Sequence, residues 1–428
     1  MSRCSLVHAH SEPRVSARAD DQQSMSRMGG AHPTRFALCA MALMFIATGC
    51  QSTGRGVWDG RHVRGSVRAI WVTRWDYKTP HDIATVMENS ARAGFNTVLI
   101  QVRGDGTTMY PSKLEPWSQE FDSRDPGFDP LMIACREAHR RGLSLHAWVN
   151  VMPGWFGKKP PQHTRQLYNA RPEWFWYDAS GRRQPLGWYC SLNPCYPEVR
   201  RYLVDVMHEI VNRYPIDGLH LDYIRFPNES TDAYPTGQVP DYPRDARTVE
   251  MFRRATGALP DQAPDKWNAW RAAQVTHLMH DIRAMTRDAK PHVSLTAAVG
   301  AEPDLSLRNY FQDSRRWIAE GLIDGVFPMN YDADMNTYGA RLASWASNRS
   351  RVPVVTGIMF DKRDERLVAH QVSRAATTGK HFAAFAYNSM FERLNAKGQP
   401  IMDDQSPKRA ALRRHVIPFL RGLASSGH

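Results

Sequence analysis

From Val67 onward, short apolar runs rich in β-branched residues alternate with stretches whose apolar positions recur at helical spacing. The runs at 67–74, 96–103, 143–151, 218–226, 292–300, 324–331, 352–360 and 381–389 predict strands. Helical periodicity follows each of them, around 80–93, 129–141, 197–213, 265–289, 308–320, 334–347, 364–378 and 406–422. Gly94, Gly142, Pro215 and Gly321 punctuate turns from a helix into the next strand. Eight such units in series predict an α/β fold, a single (β/α)8 barrel of the TIM type, because apolar strands joined by helical crossovers make a parallel sheet covered on its outer face. A doubly wound open sheet would use the same elements. The first strand-to-helix turn, however, carries no GxGxxG, and no phosphate-binding loop occurs anywhere. One barrel domain at 67–424 then follows a linker at 51–66 and an N-terminal segment at 1–50. Longer segments after strands two, three and four, about 104–128, 152–196 and 227–264, fall where barrel loops build an active site.

Composition narrows the function classes. With 428 residues, 42% hydrophobic and 23% charged, the chain is neither disordered nor collagen-like. A formal charge of +12 raises nucleic acid as a partner. Lys and Arg are interspersed with acids throughout and no nucleic-acid motif is present, so no such partner is expected; a basic surface suits an anionic glycan equally well.

Residues 35–50, RFALCAMALMFIATGC, place one arginine before an apolar run too short to span a bilayer, which is how a signal peptide reads. Its end, Ala47-Thr48-Gly49-Cys50, resembles the bacterial lipoprotein box. The expectation is export, lipidation of Cys50 and anchoring of a monomer at the periplasmic face of a membrane, the outer one for preference. A start at Met25 or Met28 would give a leader of ordinary length. Cys4 and Cys39 would leave with the leader, which keeps Cys135, Cys190 and Cys195. An oxidising compartment permits a Cys190–Cys195 bridge across CSLNPC, and Cys135 falls on the apolar stripe of a helix. No Cys or His set has zinc-like spacing, so neither metal nor cofactor is expected.

Polar residues at the C-terminal ends of barrel strands face the mouth. Here they are Thr73, Arg74, Trp75 and Asp76; Gln101 and Arg103; His146, Trp148 and Asn150; His220, Asp222, Tyr223 and Arg225; Glu302 and Asp304; Asn330, Tyr331 and Asp332; Asp361; and Tyr387 and Asn388. In DGLHLDYIRFP (217–227), strand alternation sends His220 and Asp222 to one face and Leu219 and Leu221 towards the helices. A carboxylate inside an apolar strand is either functional or tied up in an ion pair, with Arg225 or Arg103 as the available partners.

Cleaving a glycosidic bond takes two carboxyl groups. Asp222 supplies one, as nucleophile or base; Glu302 is the best-placed acid, with Asp332 and Asp304 as rivals. Arg74, Gln101, Arg103, Asn150, His220, Arg225, Asn330, Tyr331 and Tyr387 are expected to bind hydroxyls. Trp155, Phe156, Trp174, Phe175, Trp176, Tyr177, Trp188 and Tyr189 crowd the loop after strand three, divided between stacking on sugars and closing the loop on its own core.

Four stretches, RAIWVTRWDY, NTVLIQVRGDGTTMYPSKLEPWS, WYCSLNPCYPEVRRYLVDVMHEIVNRYPIDGLHLDYIRFP and DGVFPMNYD, resemble the bacterial glycosyl-hydrolase-like 10 family. The resemblance implies a TIM-type barrel, often exported and lipid-anchored, that acts on glycans, including peptide-free peptidoglycan strands in some relatives, with the family's strand-four aspartate falling on Asp222. The paired glutamates of true family-10 xylanases, after strands four and seven, have no counterpart here. A barrel that binds a glycan without cutting it, and a metal-dependent hydrolase of esters or amides, are the alternative readings.

Overall fold

A computed structural model of the protein describes residues 57–59, 62–226, 234, 239–346, 351–361 and 363–425. The expected leader and Cys4, Cys39 and Cys50 lie outside the described residues. Eight parallel strands close a barrel in sequence order: β1 (Arg68–Val72), β2 (Thr97–Arg103), β3 (Ser144–Asn150), β4 (Gly218–Asp222), β5 (Ser294–Gly300), β6 (Gly325–Met329), β7 (Thr356–Met359) and β8 (Phe382–Phe385), with β8 pairing back onto β1. The helices between them are α1 (Pro80–Ala93), α2 (Pro130–His139), α3 (Pro197–Arg213), α4 (Pro264–Ala289), α5 (Ser314–Ala319), α6 (Met335–Ala346), α7 (Glu365–Thr378) and α8 (Ser406–Ser425). The (β/α)8 barrel read from periodicity is therefore the fold observed.

Local chemistry sets the ends of these elements. Thr79 caps α1 by accepting from the Asp82 N–H at 3.1 Å while Asp82 accepts from the Thr79 N–H at 2.9 Å, and Pro80 opens the helix. Gly94 ends it at φ 100°, where a side chain would press on Leu420 of α8. The helical stretch expected at 308–320 is two short helices, Pro303–Tyr310 and α5. Phe311 turns left-handed between them (φ 54°), and Gln312 accepts from the Gly300 N–H at the end of β5. A helix at Ala246–Thr256 within the loop after β4 was not expected.

Strand residues divide into two cores. Leu219, Leu221, Val98, Ile100, Leu145 and Leu295 pack outward against the helices. Trp71, Leu99, Trp148 and Phe327 fill the barrel. The inner packing is partly polar. Thr296 bridges His146 and His220 at 3.3 and 3.0 Å, and the Trp71 indole donates to His220 Nε2 at 3.1 Å. Burial pushes His146 down to about 4 and His220 well below the usual imidazole range, so both rings are neutral hydrogen-bonding spacers. At the N-terminal end of the barrel, part of the expected linker forms a ribbon in which Trp58–Asp59 pairs with His62–Val63. Trp58 enters the barrel floor, stacks on Phe327 and donates to Thr97 at 3.2 Å.

Candidate active site

The mouth is built where β1 to β4 end. Asn150 and Asp222 are neighbours in register at the tips of β3 and β4. Strand four stops there because Tyr223 takes a left-handed backbone (φ 49°), a conformation costing a tyrosine about 1–2 kcal/mol. Its N–H turns back onto Asp222 Oδ1 at 2.7 Å. The Asp222 side chain is buried, which raises its pKa; the Arg225 guanidinium, the Tyr223 N–H and the nearby Trp148 indole pull the other way without cancelling the effect. The buried Trp148 Nε1 makes no hydrogen bond of ordinary geometry, and neither does Asn150 Oδ1.

Arg74, 3% exposed, lies across this mouth. Its N–H donates to Gln101 Oε1 at 3.1 Å and its guanidinium to the Tyr189 hydroxyl at 3.4 Å, to which Asn150 also donates. The guanidinium lies over the rings of Trp75 at 4.5 Å and Phe156 at 5.5 Å. Phe156, tilted at 5.0 Å, and Trp188, edge-on at 5.4 Å, pack against Tyr189, and Tyr189 meets Tyr223 at 5.0 Å. The aromatic loop divides accordingly: Trp155, Phe175 and Trp176 are buried in the loop's own core, while Trp188, 43% exposed, and Phe156 present faces beside Arg74. Tyr331 packs on Phe385, and Arg225 caps the Tyr223 ring at 4.6 Å.

Other expected site residues are placed differently. Arg103 is fully buried in a forked pair with Glu115 (2.7–3.1 Å) and also donates to the carbonyls of Asn150, Val151 and Pro153. It fastens the loop after β3. His220 is a spacer in the barrel, Tyr387 accepts from Asn89 at 2.8 Å within the outer core, and Asn330 donates to the Tyr338 carbonyl. Glu302 and Asp332 are brought together, by Arg341, at 2.9 and 3.0 Å; Glu302 is 46% exposed there, and Asp304 pairs with Arg315. Burial raises the pKa of Asp222, whereas Glu302 and Asp332 are held by Arg341. The bridge that CSLNPC permits is not formed in this structure. Cys190 sits on a strand (Tyr189–Ser191) that directs its sulfur to the Gln184 and Pro185 carbonyls, whereas Cys195 is a separate buried thiol behind Asn193.

Two acids in the loop after β2 went unnoticed in the sequence. Asp105, 3% exposed, stands two residues past the end of the strand, and Glu120 lies beyond it. Burial raises the Glu120 pKa against the pull of Arg74, Lys78 and the Trp75 indole. The GDG triplet right after a barrel strand was the available signal. Among the described residues, no group of three or more His, Cys, Asp and Glu is placed to hold a metal ion.

Residues 66–375 match the description "Glycosyl hydrolase-like 10". The chain belongs to that family. It is 29% identical over 315 residues to the glycosyl hydrolase DigH of Escherichia coli, a match covering 65% of each chain. It is 26% identical over 315 residues to the glycosyl hydrolase YngK of Bacillus subtilis, covering 66% of this chain and 58% of the relative. The matched stretch is thus less than two thirds of these relatives' length. Among solved structures, the PgaB glycoside hydrolase domain of Bordetella bronchiseptica shares the fold, with a TM-score of 0.53 at 14% identity over 82% of this chain and 99% of that one.

Proposed function

We propose that the protein is an exported glycoside hydrolase that cleaves O-glycosidic bonds of a polysaccharide, with peptide-free peptidoglycan strands as the favoured substrate. The observation that carries this reading is Asp222, a buried carboxyl with raised pKa at the C-terminal mouth of the barrel, beside the unpartnered Asn150 Oδ1 and the aromatic faces around Arg74. Family membership and the DigH and YngK names support it. In this reading a protonated Asp222 hands its proton to the leaving glycosidic oxygen, and a second carboxylate activates the group that attacks the anomeric carbon. Trp188 and Phe156 offer stacking surfaces to sugar rings, and the +12 charge favours an anionic polymer. Attachment through Cys50 would hold the enzyme at the periplasmic face of the membrane.

The test is mass spectrometry of products after incubating the protein from Gln51 onward with peptide-stripped peptidoglycan strands and a panel of plain polysaccharides. New saccharides are expected from the wild type, with Asp222→Asn losing about 10²–10⁴-fold in rate. Binding of a glycan without any cleavage would replace the hydrolase with a binding barrel. An active Asp222→Asn would remove Asp222 from the chemistry.

A further inference from the structure

We propose that Asp105 is the second carboxylate of the reaction, working with Asp222 on a sugar bound beside Arg74 and Tyr189. The inference rests on the hydrolase reading above and adds the residue which that reading leaves open. Asp105 is placed by a loop built for close approach. Gly104 passes so near Arg74 that an added Cβ would fall 1.9 Å from its guanidinium, and Gly106, at φ +71°, would meet the Gly154 carbonyl at 2.6 Å. Gln166 clamps the turn by donating to the Asp105 carbonyl at 2.9 Å, and Thr107 donates to Asp105 Oδ1 at 2.7 Å. The carboxylate is therefore buried in a turn that touches the tip of β3: Asn150, the register neighbour of Asp222, donates to the Gly104 carbonyl at 3.2 Å, and Arg74, packed on Gly104, reaches the Tyr189 hydroxyl at 3.4 Å. Asn150 Oδ1, buried without a hydrogen-bond partner at the tip of β3, is a second polar atom in this cluster that a ligand could satisfy.

The step balances without a co-reactant. Asp105 takes one proton from a water whose oxygen bonds to the anomeric carbon; the bond to the leaving oxygen breaks, and that oxygen takes the proton of Asp222. The two carboxyls end with their protons exchanged, and solvent resets them.

The experiment compares the wild type with Asp105→Asn, Asp105→Ala, Thr107→Val and Asp222→Asn on peptide-stripped peptidoglycan strands across pH. Asp105→Asn should lose about 10²–10⁴-fold in kcat with KM nearly unchanged, and with it the acidic limb of the pH profile. Sodium azide should restore turnover to Asp105→Ala and yield a glycosyl azide, which no merely structural role would produce. Thr107→Val keeps the carboxylate and should stay within about tenfold of the wild type; a loss there equal to that of Asp105→Asn would assign Asp105 to holding the loop and overturn the proposal. An active wild type with an active Asp105→Asn would overturn this assignment alone, whereas an inert wild type would overturn the hydrolase reading and the assignment together.

Discussion

Asp222 is not the only carboxyl near the mouth whose surroundings favour a proton. Asp76 accepts from the Thr73 N–H at 2.6 Å and the Thr73 hydroxyl at 2.9 Å through one oxygen, while its other oxygen is buried without a partner. Burial outweighs those bonds and raises its pKa to about 7. The turn it closes is the one that carries Arg74 and Trp75 into the mouth, so Asp76 acts on the site by position alone. Its effect on stability has a definite sign. Below about pH 4 the group is protonated in both folded and unfolded chains; between there and pH 7 the unfolded chain ionises first, so unfolding releases a proton and stability falls as pH rises. The whole effect is about 4 kcal/mol at most. Asp76→Asn removes it, so the stability of the variant relative to the wild type should increase between pH 4 and pH 8 in urea unfolding. A difference that stays constant across that range would show that the Asp76 carboxyl ionises freely in the fold.

Elements explain what the sequence made legible. A helix or strand declares itself by a repeat that depends only on neighbours in the chain, so all eight strand–helix units and the inward face of β4 could be read directly. Depth along the barrel axis leaves no such mark. His220 and Asp222 share a face two residues apart, yet one is a neutral spacer inside the barrel and the other stands at its mouth. Loops are harder still, because Asp105, Glu302 and Asp332 look alike until the fold decides which is buried and which meets Arg341. Arg103 shows the same limit: its strand-end position suggested sugar binding, but Glu115, twelve residues on in the loop after β2, claims it. Breaking a fully buried pair from one side costs about 3–5 kcal/mol, because it leaves an uncompensated charge. Arg103→Met should therefore destabilise the protein by about that much in chemical denaturation, and adding Glu115→Leu should recover part of the loss. Full recovery is not expected, since the bonds to the Asn150, Val151 and Pro153 carbonyls are gone in both variants. A double variant no better than Arg103→Met would deny the coupling. Gly104→Ala acts on the neighbouring contact: its methyl meets the far end of a flexible side chain, so stability should fall by no more than about 1–2 kcal/mol. Displacing Arg74 from Tyr189 should nevertheless lower kcat/KM by roughly tenfold or more, and unchanged kinetics would show that Arg74 has no part in holding the substrate.

Across the whole molecule, the two ends of the barrel do different work. The C-terminal end collects the strained Tyr223, the buried and unpartnered Asn150 Oδ1 and the buried carboxyls, features that lower stability and that fit the end where the proposed substrate would bind. The N-terminal end is closed by Trp58, 4% exposed, with its ring on Phe327, its edge against His146 and its indole N–H on Thr97. The floor of β6 is shaped to admit it, because a Cβ on Gly325 would lie 2.7 Å from the Trp58 ring. Between the two ends lies the packed layer of Trp71, His220, Thr296 and Phe327, which, among the described residues, meets the mouth only through the ring of Phe385. Removing the plug should therefore cost stability without touching the chemistry. Trp58→Ala is expected to lose about 3–5 kcal/mol, read from denaturant midpoints, while kcat and KM at 25 °C stay within about twofold of the wild type wherever the variant is folded. Gly325→Ala should be harmful alone, through the clash with Trp58, and nearly neutral in the Trp58→Ala background, where the clashing ring is gone. A loss of kcat in folded Trp58→Ala would mean that the inner layer couples the floor to the mouth, and the division of labour between the two ends would have to be abandoned.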